Sequence, residues 1–115
     1  KVNQSMAQKI INNSKKKYFI DCSNYNLINV MAALKKSSFF VGNNAGPLNI
    51  SAAMHIDSFG LISNSPVSEL KYSKIITITP DNYKDNVWNR NREGMKNLKV
   101  DKVYNFIISY VKNKK

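Results

Sequence analysis

Apolar side chains at Val2, Met6, Ile10 and Ile11 fall on one face of a helix, which predicts a first helix over Val2 to Asn13, ended by the polar run Asn12 to Lys17. Tyr18, Phe19 and Ile20 then form a short run of strand-forming residues, closed after Asp21 and Cys22 by the turn-prone Ser23-Asn24, and predict a buried strand. Leu27, Val30, Met31 and Leu34 recur at i, i+3, i+4 and i+7, the clearest helical stripe in the chain. Asn24 or Asn26 can cap its start, and Lys35-Lys36 suit its negative end.

Phe39, Phe40 and Val41 predict a second buried strand, followed by a turn over Gly42 to Pro47 and a short helix from about Pro47 to Met54, with Pro47 suited to its first turn. Ile56 to Ile62 is a third strand, closed by Ser63-Asn64-Ser65-Pro66, and Ile75 to Thr79 a fourth, closed by Pro80-Asp81-Asn82. Tyr83 to Lys99 is polar and reads as an irregular connection or weak helix. Val103, Phe106, Ile107, Tyr110 and Val111 give a last helical stripe, with Asp101 near its start and Lys112, Lys114 and Lys115 at its end. Short, continuously apolar strands alternating with helices predict an α/β fold: right-handed βαβ units in a Rossmann-like parallel sheet with flanking helices. Ligands of such sheets bind beyond the carboxyl ends of the strands, here at the turn from Asn43 to Pro47.

Composition sharpens this picture only in part. The chain of 115 residues is one domain or a piece of one, and its 43% hydrophobic and 22% charged residues describe a folded protein rather than a disordered one. A net charge of +11 favours polyanions such as nucleic acid, anionic lipid or nucleotide phosphates, although surface Lys and Asn of an AT-rich genome would give the same balance. The single Cys22 has no disulfide partner and no metal-ligand spacing around it, which points to a reducing, cytoplasmic setting. No stretch approaches the ~20 apolar residues needed to span a bilayer, and the basic start lacks the apolar region of a signal peptide. Because the chain starts at Lys1, it reads as a fragment of something longer.

A strand, a glycine-containing turn and a helix together form a recipe for binding phosphate, because Gly46 lets an anion approach the backbone where helix N–H groups emerge. The stretch from Ser23 to Met54, SNYNLINVMAALKKSSFFVGNNAGPLNISAAM, resembles the signature region of glycosyltransferase family 9, the ADP-heptose:lipopolysaccharide heptosyltransferases. That family shows a helix followed by a strand and the pattern V-G-N-D-T/S-G-P-x-H-x-A-A-A. Leu27, Ala32, Val41, Gly42, Asn43, Gly46, Pro47, Ala52 and Ala53 match without a gap, and Ser63-Asn64-Ser65-Pro66 stands at the family's G-P-T-x-P turn.

The resemblance implies that residues 1–115 belong to the C-terminal, nucleotide-sugar-binding domain of a GT-B-type enzyme. It implies substrate contacts at Asn44, Ala45, Gly46, Pro47 and Asn49 around the diphosphate, with Tyr25 near the nucleotide base. Asn44 replaces an acid, Ala45 a hydroxyl and Asn49 an imidazole, so the backbone of the site is kept while three of its side chains are changed. His55 lies six residues beyond the family's histidine and reads as a helix-end or surface residue, and Asp57 is likewise local.

The family's general base comes from an N-terminal domain, so no catalytic residue is expected here, and Asp21, Glu69, Asp81 and Glu93 form no acid/base pair. No cofactor or metal is implied, since acidic residues do not cluster. The implied partners are a nucleotide-diphosphate sugar of the ADP-heptose kind, a lipopolysaccharide, glycolipid or glycan acceptor, and an anionic inner-membrane surface. A degenerate binding or interaction module on the same fold is the alternative. Nucleic-acid binding, motivated by the charge and by Tyr83, Trp88, Arg90 and Arg92, ranks last because no helix-turn-helix, zinc or RNP-like pattern accompanies it.

Overall fold

A computed structural model describes residues 4–14, 18–68, 70, 75–84 and 93–114. Val2, Glu69, Trp88, Arg90, Arg92 and Lys115 lie outside the described residues. The chain divides into two compact units, residues 1–36 and 37–115.

The first unit holds helices α1 (Gln4–Asn12) and α2 (Leu27–Lys35). α2 begins where the sequence places it: Asn26 is the cap, its side-chain oxygen accepting the Asn29 N–H at 2.9 Å, and Leu34 is buried. The expected buried strand over Tyr18 to Ile20 is absent. These residues are 68%, 46% and 81% exposed and belong to no sheet. β-branched and aromatic composition favours a strand only when a neighbouring strand satisfies its backbone, and the three-stranded sheet does not include this run.

The second unit is a small α/β domain with a parallel sheet in the order β1-β2-β3, formed by Phe39–Asn43, Asp57–Leu61 and Ile76–Ile78. Helix α3 (Gly46–Ala53) connects β1 to β2, the βαβ arrangement that parallel neighbours require. The remaining helices are α4 (Glu93–Lys96) and α5 (Val100–Asn113). Phe39 pairs with Asp57 and Val41 with Phe59, and Phe59 in turn pairs with Ile76.

Alternation along the strands assigns each face its helix. Ser58 and Gly60 meet α3: the Ser51 and Ser58 hydroxyls lie 2.7 Å apart, and a Cβ on Gly60 would stand 3.0 Å from Leu48 Cδ2. Both serines are buried, and their two hydroxyl protons serve any two of three contacts: to each other, from Ser51 to Leu48 O, and from Ser58 to Ile56 O. Phe59 and Ile78 point to the other face, where Leu61, Ile76, Met95, Leu98, Val103, Ile107 and Tyr110 pack around them. Phe59 is fully buried and meets Phe39, Phe106 and Tyr110 edge to face at 5.8, 6.3 and 5.1 Å between ring centres.

β1 forms as expected, but it is not a buried strand. Phe39 and Val41 keep 39% and 37% of their surface, because among the described residues β1 is an edge of the sheet and β2 alone is flanked on both sides. α5 ends on Lys114, which pairs with Asp57 and lies over the Tyr110 ring. This carboxylate raises the Lys114 ammonium above its ordinary pKa through their hydrogen bond.

α3 ends at His55, whose φ of 62° is the left-handed conformation of a helix C-terminus. His55 donates its N–H to Ala52 O at 3.0 Å, and Ile56 donates to Ser51 O at 3.1 Å, the paired bonds of a Schellman motif. The histidine is thus a local, helix-ending residue, as the sequence indicated.

Two outcomes follow for stability. His55→Gly relieves the Cβ strain at positive φ and raises the unfolding free energy by about 0.5–1 kcal/mol, read from the urea midpoint at unchanged slope. Phe59→Leu removes three ring contacts at the centre of the core and lowers it by about 1–3 kcal/mol in the same assay.

Candidate functional site

Parallel strands deliver their following loops to one edge of the sheet, and in this domain those loops are tied to one another. Asn44, just after β1, donates from Nδ2 to Ser65 Oγ at 3.2 Å, beyond the end of β2. Tyr83, following the Pro80-Asp81-Asn82 turn after β3, donates its hydroxyl to Ser65 O at 2.6 Å and accepts the Val67 N–H at 2.9 Å. Ser65 is only 2% exposed and is the joint between the three loops. In the sequence Ser65 is a turn residue and Tyr83 a candidate nucleic-acid contact, because a separation of 18 positions carries no local signal of this latch.

The expected substrate residues Asn44, Ala45, Gly46, Pro47 and Asn49 are consecutive or nearly so, and all are exposed at the head of α3. Gly46, rather than Pro47, is the first helical residue, and a Cβ added there meets nothing within 4 Å. Gly46 therefore fronts open space and has no positive φ that would demand glycine. Tyr25 belongs to the first unit, where it precedes the Asn26 cap and is 43% exposed. Its phenol is raised above the ordinary tyrosine pKa by the charge of Cys22, next by a hydrogen bond with Cys22, then by desolvation and Asp21.

The anion-binding capacity of the α3 start is smaller than the sequence implies. Pro47 has no N–H. Leu48 turns its N–H to Ala45 O at 3.1 Å, and Asn49 N–H makes the first helical bond to that same oxygen at 3.4 Å. These bonds thus leave over the N–H groups of Gly46 and of the capping residue Ala45, and Ala45 offers no capping side chain. Asn49 also donates from Nδ2 to Ala45 O, at 3.3 Å. No charged residue lies between Asn43 and Asn49.

Two of the described acids singled out by the sequence are engaged locally. Asp21 is held below the ordinary carboxylate pKa by the Ser23 hydroxyl and then by the Ser23 N–H, and Asp81 by its hydrogen bond with Lys102 and by that ammonium's charge. Lys102 bridges Asp81 at 2.8 Å and Thr79 O at 2.5 Å, fastening α5 to the end of β3. Among the described residues, no group of three His, Cys, Asp or Glu is placed to hold a metal, and no helix is long and apolar enough to cross a membrane.

Tyr83→Phe removes the hydroxyl that joins the β2 and β3 loops and lowers the unfolding free energy by about 1–3 kcal/mol, measured by urea titration, with faster amide exchange at Val67. Comparison with protein-family models, with curated proteins and with solved structures finds no significant match to this chain.

Proposed function

We infer that the chain, residues 1–115, is the donor-binding part of a heptosyltransferase-like glycosyltransferase of GT-B architecture, moving a sugar from a nucleotide diphosphate to a lipopolysaccharide or glycan acceptor. The observation that carries this reading is the position of the family-like Gly42–Ala53 stretch. It spans the β1–α3 connection, so its loop stands at the carboxyl edge of a parallel sheet with Gly46 facing open space.

In this reading the chain binds and orients the donor. Gly46 receives a phosphate oxygen on its N–H, and Asn44 is held in place by the buried Ser65. The acceptor hydroxyl would be deprotonated by an acid outside this chain. Asp21 and Asp81 are engaged with Ser23 and Lys102 and have no part in that step. The acceptor's anionic glycolipid character agrees with the net charge of +11.

A degenerate binding module on the same fold is favoured by one observation: Pro47, Leu48 and Asn49 contribute no free first-turn N–H, so stabilisation of a departing diphosphate would be weak. Calorimetric titration with ADP, UDP and GDP separates these readings from a protein without a nucleotide site. The expected result is saturable binding of one nucleotide, weakened about tenfold or more by Gly46→Leu, with the melting temperature unchanged because the new side chain enters open space. Absence of binding by all three to a folded protein sinks the nucleotide-sugar reading.

A further inference from the structure

The core of the second unit is open along one flank. Leu61, Leu98, Val103 and Ile107 belong to the cluster around Phe59 and Ile78, and they also line an open groove of about 340 Å³. Val100 and Tyr104 line it as well, one turn of α5 apart on the same side of the helix, and these two are 81% and 62% exposed. The apolar arc of α5 is thus wider than the core uses: Phe106 and Tyr110 meet the Phe59 ring, whereas Val100 and Tyr104 face the groove and solvent. A single exposed apolar side chain needs no explanation, but here two of them border a groove lined by core residues.

The charge beside the groove selects its partner. Lys96 and Lys99 are sequence neighbours of the lining residues Met95, Leu98 and Val100, both are exposed, and neither forms an ion pair among the described residues. Lys102, by contrast, is occupied by Asp81. A second copy of this chain brings the same charge of +11 and is repelled, and a nucleic acid offers little apolar surface to the groove. An anionic bilayer presents what both features need, headgroup charge for the lysines and hydrocarbon for the apolar side chains.

We propose that this groove and the lysines beside it dock the protein on an anionic lipid surface, with Val100 and Tyr104 entering the boundary between headgroups and acyl chains and Lys96 and Lys99 lying against the lipid phosphates. Docking of this kind goes beyond the nucleotide-sugar reading and is independent of it, since it uses no residue at the head of α3.

The test is cosedimentation of the full chain with vesicles of equal parts phosphatidylcholine and phosphatidylglycerol, against phosphatidylcholine alone. Binding is expected to the mixed vesicles and not to the neutral ones. Val100→Ser and Tyr104→Ser should each lower the partition coefficient about fivefold or more, because less apolar surface enters the bilayer. Lys96→Gln combined with Lys99→Gln should lower it about tenfold. The same loss of charge at the exposed end of α2, Lys35→Gln with Lys36→Gln, should lower it less than about threefold, since those lysines are not at the docking face. All the changed side chains are exposed, so each variant keeps the wild-type melting temperature.

Binding that ignores both serine variants, or that falls equally with either lysine pair, is diffuse adsorption by net charge and overturns the proposal. Absence of binding to the mixed vesicles overturns it too. A dimer seen by sedimentation without lipid, and dissolved by Tyr104→Ser, assigns the groove to a second copy instead. None of these outcomes bears on nucleotide binding.

Discussion

Phe59 is the residue on which the second unit turns. It sits on the one strand that, among the described residues, has neighbours on both sides, it is fully buried, and three aromatic rings from β1 and α5 meet it edge to face. A fully buried Phe contributes roughly 2–3 kcal/mol through surface removed from water, and each well-oriented ring pair adds about 0.5–1.5 kcal/mol. No residue of α5 is itself fully buried, so the helix is held by the side chains it lays against Phe59 and Ile78 and by its end contacts, Lys102 to the β3 loop and Lys114 to Asp57. The opposite face depends on closeness rather than bulk. Gly60 admits α3 to the sheet, and the Ser51–Ser58 pair satisfies the polar groups that this approach buries.

The parts of the fold legible in the sequence are those whose cause is local. The i, i+3, i+4, i+7 stripe and the Asn26 cap specify α2, Gly and Pro specify the start of α3, and the period of the Val103 to Val111 stripe specifies α5. The parts that were not legible have causes elsewhere in the chain. Tyr18, Phe19 and Ile20 have strand composition, but a strand exists only through a partner, and their composition says nothing of one. Phe39 and Val41 look like the core strand of a parallel sheet, yet edge or centre is decided by topology, and an edge strand leaves them more than a third exposed.

The same division runs through the site. The placement of the Gly-Pro turn was readable, because chain direction alone puts a turn between strand and helix at the carboxyl edge of the sheet. Its hydrogen-bond balance was not. The sequence allows Asn44 and Asn49 to donate to a phosphate, and only the geometry reveals that one amino group of each is committed to Ser65 Oγ and Ala45 O. Ser65 gains its importance from Asn44, 21 residues away, and from Tyr83, 18 residues away, separations over which no sequence period operates.

The buried frame and the exposed loop are therefore built from different residues of one small unit. The β1–α3–β2 geometry is set by Phe59, Gly60, Leu48, Ser51 and Ser58, all of them buried, whereas Asn44, Ala45, Gly46 and Asn49 are exposed and contribute little to the core. The loop is fixed from beneath by this buried frame and braced by Asn44 on Ser65, so substitution at Ala45 or Gly46 changes the exposed surface without removing that brace.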